Sequence, residues 1–219
     1  MNKQISFFSF LLFILPVITI FISFQIISYY YPNFHTFPFI DGKASVSQIG
    51  RGEKTIIIFK SGFFLYILFS IIFYYKVSNL FLSIGKRNKL KIYGLIANFF
   101  LFIYILYLGM DGSFNAIARR LAIIFYIVTI YVSHIYFTKI LKLLKFEKKI
   151  EFNKIYLFIF YIIIIFMSLL IIIGMPWVNP LFKYPNALKN IIEWNYFLLT
   201  IIFYIPISLL FYFSIMGKN

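Results

Sequence analysis

The chain has no cysteine, two histidines and six carboxylate side chains among 219 residues. The first absence excludes disulfides, thiolate metal sites and cysteine nucleophiles. The other two leave little for a metal: His35 and His134 fall on different predicted levels, no H-x-x-x-H spacing occurs and acids are scarce, so no metal site is expected. There is no Walker, Rossmann or haem-attachment pattern, and no cofactor is expected. Charge is sparse altogether, at 12% of residues against about 25% in soluble domains. What fills the space is apolar: 63% of the chain, with 31 Phe, 18 Tyr and a mean hydropathy of +0.93. A 26.1 kDa globule could not hide that much hydrocarbon from water, so lipid must be the solvent for most of the chain.

The few charges are lopsided, 21 basic against six acidic, for a net +15. In a soluble chain this would point to nucleic acid. Here the basic residues sit in short clusters between apolar runs, where their work is to set topology and touch anionic lipid head groups. Membrane lipids are the expected partner and nucleic acid is not.

A hydrocarbon core of about 30 Å takes about 20 apolar residues per helix. Six stretches qualify, at about 5–31, 55–84, 92–110, 121–144, 155–175 and 191–215. The expectation is an all-α integral membrane protein, a six-transmembrane-helix bundle forming a single polytopic domain over 1–219. The first apolar run exceeds the usual 7–15 residues of a signal peptide and lacks a small-x-small cleavage site, so it is read as a helix. Basic residues divide 13 to 8 between the two sides, which predicts both termini cytoplasmic. A bacterial inner membrane and a eukaryotic endomembrane or plasma membrane fit this pattern equally.

Function in such a chain should sit where polar groups persist despite the cost of burying them. In the last span Glu193, Tyr196, Thr200, Tyr204 and Ser208 share one helical face. In the fourth, Arg119, Tyr126, Thr129, Ser133 and Tyr136 do so, with His134 at the edge. Both stripes are expected to turn into the bundle, with an Arg119–Glu193 or Arg120–Glu193 pair at the outer boundary. The nearly all-aliphatic fifth span is assigned to lipid contact.

The first outer loop is longer than a two-helix connection requires, and a structured cap is expected there. It carries His35, Asp41, Lys43, Ser45, Ser47, Arg51 and Glu53 with several glycines. Lys43, Arg51 and backbone N–H groups in a glycine-shaped loop suit a phosphate or other head group. The Ser, His and Asp also admit a hydrolase reading, although no G-x-S-x-G elbow is present. Catalytic candidates on that reading are His35 and His134 as bases and Ser45 and Ser47 as nucleophiles.

Three segments carry a likeness to a known family: "FPFIDGKASVSQIGR" (37–51), "IARRLAIIFYIVTIYVSHIYFTKILKLL" (117–144) and "IIEWNYFLLTIIFYI" (191–205). In these the chain resembles the Frag/DRAM/Sfk family of six-span membrane proteins, which includes GPI-anchor lipid-remodelling and damage-regulated autophagy modulator proteins. The likeness rests on the Pro–apolar–Ser–Gly loop, on His134 with its following basic run, and on Glu193–Trp194 opening the sixth span. It implies lipid handling. Arg119 and Arg120 stand where remodelling members tend to have a His before the acidic residue that opens the fourth span. Tyr204 stands where they tend to have a mid-span His, which implies binding of lipid without transforming it.

The leading expectation is therefore a multi-pass protein that recognises a lipid head group, in lipid remodelling, distribution or the regulation of either. Its expected contacts are Asp41, Lys43, Arg51, Arg119, Arg120, Glu193 and Trp194. The enzyme alternative is a membrane-embedded acyltransferase or lipid hydrolase. A small-solute channel or transporter is the third reading, against which stands the lack of midplane acids.

Overall fold

Apolar runs of this length, in a medium without water, must satisfy their own backbone groups, and a helix does so within one segment. The structure, a computed structural model, describes residues 2–31, 36–174 and 185–213. Every regular element among them is an α-helix: α1 (Asn2–Tyr30), α2 (Val46–Arg51), α3 (Ile56–Ser83), α4 (Leu90–Tyr107), α5 (Ser113–Phe146), α6 (Lys154–Ile173), α7 (Pro185–Ile202) and α8 (Tyr204–Phe213). Six stretches are long and apolar enough to cross a membrane, namely α1, α3, α4, α5, α6 and the α7–α8 pair taken together. The chain has the make-up of an integral multi-pass membrane protein.

The spans close into a ring. Helix α1 packs on α3 and α8, α3 on α4, α4 on α5, and α6 on both α5 and α7. Without a hydrophobic drive between helices in lipid, small residues let backbones approach. A Cβ on Gly62 would lie 2.0 Å from the Thr19 hydroxyl of α1, and one on Gly94 would lie 2.2 Å from the Tyr74 ring of α3. The two ends of the bundle are distinct. At one, Ser6 and Ser208 exchange hydrogen bonds, each hydroxyl donating to the other's carbonyl at 2.8 and 2.9 Å. The start of α1 thus lies beside α8 at one end, as an even number of crossings requires. The α1–α3 connection and the start of α7 meet at the other, the loop end.

Hydropathy located the spans, while helix ends fall where backbone bonding stops. Helix α5 starts eight residues before the expected Leu121 and runs for 34 residues, about 51 Å at 1.5 Å per residue, well beyond the hydrocarbon core. Helix α7 begins at Pro185, not at Ile191, on a residue whose fixed φ and missing N–H suit the first helical position. Helix α6 ends at Ile173; Met175, Ser214 and Ile215, included in the expected spans, lie outside the described residues. The two prolines inside spans behave differently. Helix α1 runs through Pro16, whereas the last span is interrupted at Phe203, three residues before Pro206.

Candidate functional site

The α1–α3 connection is held in shape by its own polar residues. Asp41 accepts from the Thr36 hydroxyl and the Phe37 N–H, both at 2.8 Å, and from the Lys43 N–H at 3.0 Å. The Lys43 N–H, with those of Phe37 and the Thr36 hydroxyl, holds the Asp41 carboxyl below the usual carboxylate range. Ser45 then caps α2. Its hydroxyl accepts the Gln48 N–H at 3.1 Å while the Gln48 side chain accepts the Ser45 N–H at 2.6 Å, a reciprocal box that satisfies two donors otherwise orphaned at a helix start.

This small unit is docked on the first turns of α7. Gly42 has φ +60° and a Cβ there would lie 2.1 Å from the Ala187 carbonyl oxygen; the close approach and the left-handed backbone both require glycine. The Asn190 amide donates to the Gly42 carbonyl at 2.7 Å, the Trp194 indole to the Ala44 carbonyl at 2.8 Å, and the Asn195 amide to the Phe39 carbonyl at 3.1 Å. Trp194 is 1% exposed, its ring wedged between Phe24 of α1 and Phe39 of the loop. A Glu193 carboxylate oxygen accepts the Ser47 N–H at 3.2 Å, which places an anion against the positive end of α2.

The expected Arg119–Glu193 or Arg120–Glu193 pair is not formed. The Arg119 guanidinium instead donates to the Tyr107 and Met110 carbonyls at 3.0 and 2.6 Å, where α4 ends and its last carbonyls lack helical partners. Arg120 is exposed. Arg119, Arg51 and Glu193 nonetheless share one end of the bundle, grouped around the buried Tyr104 of α4. Lys43 and Arg51 are exposed, and Arg51 turns its Nε onto the Ser47 carbonyl at 3.2 Å. Among the described residues the ion pairs are Lys86–Glu147 and Lys149–Glu147, both at the far end of the bundle.

Below this cap the stripe of the last span faces inward, with Tyr196, Thr200 and Tyr204 buried, whereas of the expected α5 stripe only Ser133 is buried and Tyr126, Thr129 and Tyr136 are half-buried. The Tyr196 hydroxyl donates to the Ile127 carbonyl of α5 at 2.9 Å, and the Thr200 hydroxyl turns back to the Tyr196 carbonyl. Deeper, the Ser133 hydroxyl donates to that of Tyr74 at 3.0 Å, and the Tyr74 and Tyr204 hydroxyls lie 3.2 Å apart. His134 is not at the edge of its stripe. It is 1% exposed, lies flat on the Phe203 ring at a 3.8 Å centroid distance, and has no hydrogen-bond partner at either nitrogen. The Tyr66 hydroxyl is likewise buried without a hydrogen bond of ordinary geometry, although the Tyr126 and Tyr204 hydroxyls face it; a buried polar group left unpaired, as the imidazole is, costs about 1–3 kcal/mol. Periodicity within one helix could not reveal this cluster, since it joins Tyr66 and Tyr74 of α3 to residues of α5 and α8.

The candidate residues therefore separate into two groups. Asp41, Ser45, Ser47, Glu193 and Trp194 converge at the loop end, with Lys43 and Arg51 displayed on the same unit. His134 lies 15 positions beyond Arg119, about 22 Å along α5, so no described histidine stands beside Ser45 or Ser47, whose hydroxyls bond each other at 2.9 Å. His35 lies outside the described residues. Helix α6 buries Phe160, Ile163 and Met167 and leaves much of its remaining surface exposed. No group of three or more His, Asp or Glu able to hold a metal occurs among the described residues. Neither a protein-family model, nor a curated protein, nor a solved structure matches the chain.

Proposed function

We propose that this is a lipid-handling membrane protein that recognises an anionic head group at the loop end of the bundle, in keeping with its likeness to the Frag/DRAM/Sfk segments. The observation that carries the reading is an electrostatic imbalance on a fixed scaffold. Asp41 and Glu193 direct their oxygens onto backbone N–H groups of the loop and of α2, and although Lys43 and Arg51 lie within electrostatic range of them, among the described residues neither acid forms an ion pair with either cation. Lys43 and Arg51 are exposed on a unit anchored to α7 by four side-chain hydrogen bonds. Exposed Tyr29, Tyr30, Tyr31, Phe37 and Ile40 surround it, amphipathic and apolar groups suited to a membrane interface. A phosphate offered there meets guanidinium and ammonium donors without displacing an internal ion pair. On this reading Asp41, Glu193 and Trp194 position the loop, Arg119 braces α4, and Lys43 and Arg51 make the contact. The 13-to-8 division of basic residues orients the loop end away from the cytoplasm.

Native mass spectrometry of the purified protein tests this. The wild type is expected to retain anionic phospholipid, and Lys43→Ala with Arg51→Ala to lose at least about 80% of it, as for two charge-assisted contacts. Lys76→Ala with Lys91→Ala, at the far end, is expected to retain wild-type amounts. Equal retention in the Lys43/Arg51 variant overturns the site.

A further inference from the structure

The buried polar atoms without a protein partner are not scattered. His134 and Tyr66 both flank Tyr204: the His134 and Tyr204 rings lie 5.7 Å apart, and the Tyr66 hydroxyl, which makes no hydrogen bond of ordinary geometry, faces the hydroxyls of Tyr126 and Tyr204. Tyr204 opens α8 immediately after the break, and Phe203, the residue at the break, is the one stacked on His134. The backbone is under-bonded at the same place, because Pro206 has no N–H to give the Ile202 carbonyl. The crevice beside His134, Phe203 and Tyr204, bounded also by Phe73, Ser133, Phe137 and Ile207, is too narrow to admit a water molecule. Its lining carries no charged side chain. Interrupted helices at membrane depth are tolerated where protein buries them or where they line a water-filled cavity; the imidazole left without a partner points to the second.

We infer that the α7–α8 break is a gate to an intramembrane hydration site. Helix α8 swings about Phe203, the His134–Phe203 stack parts, and water enters to bond the imidazole, the Tyr66 hydroxyl and the Ile202 carbonyl. The packed arrangement is the closed form, and the hydroxyl chain Ser133–Tyr74–Tyr204 is the latch that α8 releases. Opening gives partners to groups that have none when closed, which supplies its driving force.

Amide hydrogen–deuterium exchange of the full-length protein in lipid nanodiscs reads water entry directly. Peptides spanning 199–207 are expected to exchange at least about tenfold faster than those spanning 66–73 of the continuous α3. His134→Phe keeps the ring stack and removes both nitrogens. It is expected to slow exchange in 199–207 about tenfold and to raise the thermal midpoint by a few degrees. If His134→Phe does not fold, Tyr66→Phe, which deletes one hydroxyl, carries the same expected direction. Exchange in 199–207 as slow as in α3, or unchanged in the folded variant, overturns the gate.

Discussion

A guanidinium or carboxylate at the edge of a bilayer has two kinds of partner, an opposite charge or the unsatisfied end of a helix. In this molecule helix ends win repeatedly. Arg119 takes carbonyls where α4 ends and Lys60 reaches the Leu106 carbonyl in the same last turn. Lys149 takes the Ile84 carbonyl just past α3, and Glu193 faces the start of α2. A sequence with few acids favours this outcome, because orphaned backbone groups outnumber carboxylates at every boundary. Spacing within one helix could place Arg119 and Glu193 at the same depth. It could not show that a nearer carbonyl and a nearer N–H were available to each. Asp41 gives the pH consequence. Its folded-state value is lowered, so its contribution to loop structure is complete above the ordinary carboxylate range and is lost as pH falls through the folded value. In a Trp177→Phe background, Trp194 emission is expected to shift to the red as pH falls below the ordinary carboxylate range. Asp41→Asn is expected to show the shifted emission already at pH 7, with little further change on acidification.

At the scale of elements, the cap on α2 was missed although its signal stood in the sequence: Ser45-Val-Ser-Gln48 is the S-x-x-Q signature of a capping box, which makes Ser45 a helix start with its hydroxyl engaged, not a free nucleophile. The onset of α5 was not legible from hydropathy, since 113–120 mixes Ser, Asn and two Arg with apolar residues yet is helical; apolar content marks where a helix needs lipid, and its backbone continues for as long as hydrogen bonds close. Pro206 was legible as a breaker, as was Pro16, and their different outcomes follow from surroundings. The break at Phe203 frees that ring to pack on His134, Phe137 and Phe160, whereas α1 continues past Pro16 against α3 and α8. Close helix approach gives a sharp test. In Gly94→Ala the added methyl meets the Tyr74 ring, whose hydroxyl belongs to the interior chain, and nothing softer can yield first. Overpacking of this kind costs about 1–3 kcal/mol, to be seen as a lowered thermal midpoint in detergent, with Ala97→Gly on the same helix face as the contrasting, cavity-forming control.

At the scale of the whole molecule, the side on which each end of the bundle lies is open to direct measurement. A chain without cysteine is a ready background for single-cysteine labelling. Gln48 and Lys89 are exposed at opposite ends of the bundle and avoid the half-buried Ser47. In intact cells a membrane-impermeant maleimide is expected to label Gln48→Cys and to spare Lys89→Cys until the membrane is opened; the reverse pattern inverts the orientation. Composition and hydropathy were sufficient for the number of spans, their approximate depth and the presence of a polar interior, because transfer free energy into hydrocarbon is summed residue by residue along the chain. Only the tertiary structure decided which polar groups met: Trp194 with Ala44, Glu193 with Ser47, Arg119 with the end of α4, His134 with Phe203 and with no donor or acceptor at all. Those pairings depend on the lateral order and rotation of helices within the ring, set by side-chain packing between segments far apart in sequence, and hydropathy along one strand of text carries no term for either.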